Sequence, residues 1–391
     1  MQLKAIKRKR YSSYALLYFA YFFGMGIFNS ILSIYLAGNG KADSEISVII
    51  SAGGIFTMLL QPVIGLVYDR MRRDRTISVA LLCLSAICAL LFASFQNNVL
   101  LFILNGLTTM FLSGVNPLCE QLATNTPYRY GLIRLWGAVG YAAATQAAAF
   151  IYETIAPRFN FYIFAAAMLV TMGAFFLTTN NDAAHELHAT AVPKSAGILR
   201  VLLKNRSFLL FSFVSFLFSG AAAANGTYLT LRLQELLGNT TQVGSILFAS
   251  TLMEIPIILF SNRYMNRLSA KQLLLISFGL LLIQFATYSL VSHLAALCLV
   301  LFLCKSTATM LYIMLTLKII LNLVEEGCTT TALSLIATFK SIGSAVIPIA
   351  AGLVSDSFGR PAVFVFLLLL SLIGFLCAAA LHLPRQERAL F

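Results

Sequence analysis

Of the 391 residues, 59% are hydrophobic and only 10% are charged, against about 45–50% apolar and about 25% charged in soluble proteins. A water-soluble globule is excluded. At a mean hydropathy of +0.87, and with roughly 20 apolar residues needed per bilayer crossing, the chain holds material for about twelve spanning helices. Its net charge of +13, from 27 Lys+Arg and 14 Asp+Glu, is spread in short clusters between apolar runs. That distribution belongs to membrane topology and not to nucleic-acid binding.

The chain opens with a basic stretch, Lys4 to Arg10, followed by an apolar run from Tyr14 to Ala37. The run is too long for a cleaved signal and ends in no small-residue cleavage site, so it reads as an uncleaved first helix. Apolar stretches between polar breaks then predict helices at 12–37, 46–68, 76–96, 99–125, 131–153, 159–179, 207–235, 242–262, 270–291, 294–321, 328–355 and 361–383. Six precede the longest polar break, Asn180 to Asn205, and six follow it. The expected organisation is an N-terminal bundle over 1–179, a cytoplasmic linker over 180–206 and a C-terminal bundle over 207–391.

Charge tests that count, because basic loops stay on the cytoplasmic side. With both termini inside, the inner set holds Lys4, Lys7, Arg8, Lys9, Arg10, Arg70, Arg72, Arg73, Arg75, Arg129, Lys194, Arg200, Lys204, Arg206, Arg263, Arg267, Lys271, Arg385 and Arg388. The outer loops hold only Lys41, Arg158, Arg232 and Arg360, a split of 19 to 4. A shifted helix would destroy this alternation. The seven cysteines lie in or beside apolar segments with no metal-ligand spacing, and read as reduced packing residues.

The halves repeat one another. Helix 5 carries Arg134 near its start, then Gly137 and Gly140, and ends at Glu153 before a turn with Pro157 and Arg158. Helix 11 carries Lys340, then Gly343, and ends at Asp356 before Gly359, Arg360 and Pro361. Duplicated bundles are the pattern of transporters with sites at the repeat interface.

Between helices 2 and 3, Gly65, Asp69, Arg70 and Arg73 stand in a segment that resembles the G-x-L-a-D-r-x-G-r-k signature of the major facilitator superfamily. Val67 and Arg72 depart from it, at the places of a leucine and the second glycine. A second stretch, Asn116, Pro117, Glu120 and Gln121 followed by Gly131, Arg134, Trp136, Gly137, Gly140 and Tyr141, is similar to the helix 4 to helix 5 hairpin of the lactose-permease-like proton symporters. Their relatives for phenylpropionate and nucleosides share it. The resemblance implies an all-α major facilitator fold of twelve helices in two pseudo-symmetric six-helix bundles. It places Glu120 and Arg134 in the substrate site, puts Tyr141 where the sugar permeases have a stacking tryptophan, and makes Asp69, Arg70 and Arg73, with Gly65, a cytoplasmic gate.

Charges inside apolar runs are costly and are normally paired or face a watery cavity. Glu120 and Glu254 are the interior acids. Glu254 resembles an embedded acid of the same group, and Lys305 and Lys340 supply positive charge on helices 10 and 11, so these three are the expected coupling residues. Lys305 stands near the place of the sugar permeases' coupling histidine, Ala308 replaces the following acid, Gln284 takes the place of a helix 9 arginine, and Asn225 and Gly226 stand where helix 7 acids are missing. Asn116, Asn225, Gln284 and Lys305 join Glu120, Arg134 and Tyr141 as candidate substrate contacts, against the plainer reading of polar residues that bind helices together.

The expectation is a secondary transporter working by alternating access: proton-coupled uptake of a small polar organic solute, such as a sugar, nucleoside or aromatic acid. The alternatives are proton-driven export of drug-like compounds and, in another class, a lipid flippase or membrane-embedded enzyme. No phosphate loop, cofactor motif or metal constellation is present in the sequence. The coupling ion is expected to be the proton, with sodium as the second choice. A monomer in the plasma membrane, with the lipid bilayer and a small-molecule substrate as partners and no nucleic acid, completes the reading.

Overall fold

A computed structural model describes residues 2–71, 74–124, 126, 128, 130–178, 202, 204–260, 267–291, 293–324, 329–381 and 383. Each of the twelve apolar segments is helical. The first six are α1 (Gln2–Gly38), α2 (Asp43–Met71), α3 (Asp74–Phe92), α4 (Asn98–Thr124), α5 (Tyr130–Thr154) and α6 (Phe159–Leu177). The others are α7 (Arg206–Leu237), α8 (Thr240–Leu252) with α9 (Glu254–Leu259), α10 (Ala270–Leu290), α11 (Leu294–Val300) continuing into α12 (Ser306–Leu323), α13 (Thr329–Phe358) and α14 (Arg360–Ala380). There is no strand among the described residues.

Two predicted helices are interrupted. The eighth breaks at Met253 between α8 and α9, because Pro256 has no N–H to donate and its ring collides with the carbonyl four residues back. The tenth contains a π-helical turn, Leu301–Lys305, between α11 and α12. Nine helices among the described residues are long and apolar enough to cross a membrane; α2, α5 and the broken α8–α9 are not among them.

The helices cluster into two compact units, Met1–His185 with Thr230–Leu252, and Glu186–Leu229 with Met253–Phe391. In the first, α1 packs on α5 and α6, α4 packs on α2 and α3, and α8 runs along α5. That last contact is why the outer end of α7 and all of α8 group with the first six helices. The core of this unit is aromatic: the rings of Phe28, Phe92, Phe161 and Phe164 meet at centroid separations of 5.4–6.1 Å. In the second, α10 packs on α12 and α14, with Phe218 edge-on to Phe278 and Tyr288 edge-on to Phe364.

Lipid is as apolar as these helices, so close packing and interhelical hydrogen bonds hold them, and not exclusion from water. Small residues make the seams. A Cβ on Gly140 of α5 would stand 2.5 Å from the Phe19 carbonyl oxygen of α1, and one on Gly343 of α13 would strike the Phe216 carbonyl oxygen of α7. The same seam therefore occurs in both halves, which gives the repeat read from the sequence a physical form. Buried polar groups add their own ties: Asn105 of α4 donates to the Ile49 carbonyl of α2 at 2.6 Å, and Ser85 of α3 to the Thr108 carbonyl of α4 at 3.0 Å.

Turn chemistry closes the helices. Gly359 adopts φ +81°, a region open to glycine, and Pro361 follows in the first turn of α14, where its missing N–H costs nothing. Ser269 and Gln272 form a capping box at the start of α10. Glu45 plays a similar part in α2: its Oε2 accepts from the Ala42 N–H at 3.0 Å and its Oε1 from Asn98 Nδ2 at 2.5 Å.

Candidate functional site

Helices α4 and α5 are joined by a short turn, so residues late in α4 and early in α5 stand side by side. There Arg134 Nη1 donates to Glu120 Oε1 at 3.0 Å, and each side chain keeps 30% of its surface accessible. The pair is neither sealed in the core nor free in solvent. Asn116 lies one turn before Glu120 on the same face of α4 and is exposed. Tyr141 lies two turns after Arg134 on α5 and is half-buried. With seven residues spanning nearly two turns, the four make a polar strip along the hairpin.

Helix α1 holds that hairpin in place. Its Tyr18 and Tyr21 hydroxyls donate to the Cys119 and Leu112 carbonyls of α4 at 3.2 and 2.8 Å. The Tyr11 hydroxyl donates to the Leu132 carbonyl at 3.3 Å and accepts from Trp136 Nε1 at 3.0 Å, while its ring stands edge-on to Tyr128. The lone tryptophan is thus a tie between α5 and α1. A carbonyl oxygen carries two lone pairs, so these tyrosines bind α4 without taking a hydrogen bond from its ladder.

In the second unit, Glu254 opens α9 immediately after the break at Met253, and Lys305 closes the π turn. Glu254 is the acid whose charge acts on Lys305. Lys340 of α13 reaches α12 instead: its Nζ donates to Thr316 Oγ1 at 3.0 Å and lies 4.8 Å from the centroid of the Tyr312 ring. Asn225 is buried on α7 with its Oδ1 unpartnered, and Gln284 is fully enclosed on α10 with neither amide atom in a hydrogen bond. The structure therefore brings Glu120 together with Arg134, and Glu254 within electrostatic reach of Lys305. It leaves Gln284 and Asn225 shut inside their own bundle.

The gate residues fall differently. Gly65, Asp69 and Arg70 lie in α2, but their side chains, and all of Arg73, are outside the described residues, as are Arg72 and most of the 180–206 linker. Nearby, Arg75 at the start of α3 donates to the Thr178 carbonyl at the end of α6.

One contact carried no signal in the sequence. Glu153 at the end of α5 accepts from the Thr240 and Thr241 N–H groups at 2.6 and 3.2 Å, capping the N-terminus of α8 from 87 and 88 residues away. An acid at the end of one helix gives no linear hint of which other helix start it will find.

A polytopic all-α chain whose helices repeat as two sets of six, with charges placed on facing helices, defines a membrane transporter and not an enzyme. The chain belongs to the MFS_1 like family of the major facilitator superfamily, whose profile matches residues 11–377. It is 29% identical over 284 residues to the maltose permease of Geobacillus stearothermophilus, covering 68% of each chain. To the probable 3-phenylpropionic acid transporter of Escherichia coli strain K12 it is 26% identical over 271 residues, 67% of this chain and 70% of that one. Its fold matches a crystal structure of a mutant of the nucleoside transporter NupG with a TM-score of 0.85 at 15% identity, over 95% of this chain and 99% of that one.

Proposed function

We propose that this transporter is a proton-coupled symporter that takes up a small polar organic solute across the cell membrane, with both termini on the cytoplasmic side. The observation that carries the reading is the Glu120–Arg134 pair, closed at 3.0 Å yet 30% accessible on each side. A charged pair at membrane depth is expensive, and a purely structural one gains nothing from staying open. An accessible one offers a polar solute an acceptor and a planar donor fork. Tyr141 and Asn116, on the same strip, add an aromatic face and an amide. The names of the relatives point the same way: maltose, 3-phenylpropionic acid and nucleosides are all small polar organic molecules.

Glu254 is the proposed proton carrier. A carboxyl group can lose its charge when its surroundings disfavour it, and the nearby Lys305 makes that charge state matter to its neighbours. The 19 to 4 asymmetry of basic residues supports the orientation.

The test is uptake of radiolabelled maltose, uridine and 3-phenylpropionate into proteoliposomes under an imposed proton gradient. Accumulation that Glu254→Gln abolishes while exchange persists supports the coupling assignment. A solute that leaves the vesicles as protons enter would reverse the direction. For the binding pair, Arg134→Lys should stay folded and lose affinity more than tenfold, since lysine has no fork; normal affinity with a lowered melting point would make the pair a structural one.

A further inference from the structure

The charges inside the helices can be assigned partners one at a time, and the exercise leaves one cation over. Arg134 has Glu120. Lys305 has Glu254 within electrostatic reach. Lys318 donates to the Leu268 carbonyl at 3.1 Å, in the turn before α10. Lys340 has a hydroxyl and a ring, Thr316 Oγ1 at 3.0 Å and the Tyr312 face at 4.8 Å, and no carboxylate among the described residues approaches it.

The internal repeat shows what is missing there. Arg134 sits near the start of the fifth helix, a few residues before Gly140, and takes its acid from the end of the fourth. Lys340 sits in the eleventh helix, three residues before Gly343, and takes its partner from the tenth. The two glycines occupy the same seam, against Phe19 and against Phe216. Thr316 therefore stands in the second half where Glu120 stands in the first. The cation has been kept and the carboxylate replaced by a neutral hydroxyl.

The surroundings of Lys340 are built rather than incidental. The Tyr312 hydroxyl donates to Ser215 Oγ of α7 at 2.6 Å and its ring stacks on Phe218 at 3.8 Å, so three helices fix the aromatic face beneath the ammonium. Tyr312 and Thr316 are buried, whereas Lys340 is only half-buried. An ammonium has three N–H donors, and one is taken by Thr316.

We propose that Lys340 receives the carboxylate of the transported solute, so that the substrate is an organic anion and supplies in the second half the acid that Glu120 supplies in the first. The assignment rests on the symporter reading and narrows it: among sugars, nucleosides and aromatic acids it selects the acids. Binding would form two charge-assisted hydrogen bonds or one with a shared proton-free oxygen, with no covalent step.

The experiment measures affinity by titration calorimetry on the purified full-length protein, using matched pairs that differ in charge: 3-phenylpropionate against its amide, and glucuronate against glucose. The expected result is that a carboxylate binds at least tenfold more tightly than its neutral counterpart. Lys340→Gln should remove that advantage while leaving the neutral partner's affinity unchanged, which also shows that the variant is folded. Lys340→Arg, which keeps the charge, should retain most of it. Equal affinity within each pair overturns the proposal, as does a Lys340→Gln variant that still prefers the acid. Proton-driven uptake of glucose or another neutral solute, unaffected by Lys340→Gln, also overturns it while leaving the symporter reading intact. Binding of either acid without proton-coupled uptake would sustain the anion site and defeat the symporter instead.

Discussion

Removing the Glu153 carboxylate should loosen the join between the end of α5 and the start of α8. Its Oε2 satisfies two of the N–H groups that every helix N-terminus leaves unpaired, at 2.6 and 3.2 Å. Loss of a side-chain cap costs about 0.5–2 kcal/mol, and a negative charge at the positive end of the helix dipole adds about 0.3–1 kcal/mol at an exposed site. Because Glu153 is exposed and water can take its place, about 1.5 kcal/mol is a fair total, roughly a tenfold change in the balance between joined and separated arrangements. Glu153→Gln keeps an acceptor without the charge and should lose about half as much as Glu153→Ala. Spin labels at the exposed positions Ile155 and Gln242, on a cysteine-free background, would report the separation of the two helix ends by electron spin resonance. The distance distribution should broaden toward longer values in the order wild type, Glu153→Gln, Glu153→Ala. Identical distributions in all three would refute the argument that this cap governs the contact.

Three further outcomes are expected. Gly140→Ala and Gly343→Ala should each lower the melting temperature, by the equivalent of about 1–3 kcal/mol of overpacking, because the neighbour is a backbone carbonyl that cannot swing aside; Gly173→Ala, with nothing within 4 Å of its added Cβ, should be near neutral in the same thermal-melt assay. Tyr21→Phe deletes the 2.8 Å bond to the Leu112 carbonyl and should cost about 0.5–1.5 kcal/mol without changing ligand affinity, read by melting and calorimetry together. Hydrogen bonds from Ala42 and Asn98 hold the Glu45 carboxyl below the ordinary glutamate value; a group depressed on folding stabilises fully above its unfolded pKa of about 4.3. The melting difference between wild type and Glu45→Gln should therefore be constant at neutral pH and shrink as pH falls below that value; a difference that grows on acidification would contradict the capping role.

Segment by segment, hydropathy exposed the helices because each must satisfy its backbone within itself once it enters lipid. That requirement is local, and so it is written locally. The Glu120–Arg134 contact was also legible, since fourteen residues across a hairpin turn leave few other places for two charges to meet. The break at Met253 had a cue in Pro256, yet the run from 242 to 262 is apolar throughout, and Pro348 sits inside α13 without ending it. Proline alone does not decide whether a membrane helix stops. The π turn had no cue at all. Neither did the setting of Lys340, whose support comes from Thr316, Tyr312 and Ser215 on two other helices, nor the Glu153 cap, because those choices are made by how helices pack after they form. Gln284 and Asn225 looked like site residues on polarity; the burial that encloses them is a property of the bundle.

The π turn at Leu301–Lys305 also has a lineage. A turn closed between residues five apart holds one residue more than a turn closed between residues four apart, so the tenth helix carries an insertion that it absorbed as a bulge instead of expelling into a loop. One residue rotates everything downstream by roughly 100° about the helix axis. Without it, Ser306 to Leu323 would present a different stripe to α10 and α13, and Thr316 would turn away from Lys340. Relatives that lack the bulge should therefore show a single-residue gap here when compared by structure, with their tenth-helix cation one place out of phase. A one-codon event in an ancestor would have been enough to re-aim half a helix without disturbing either of its ends.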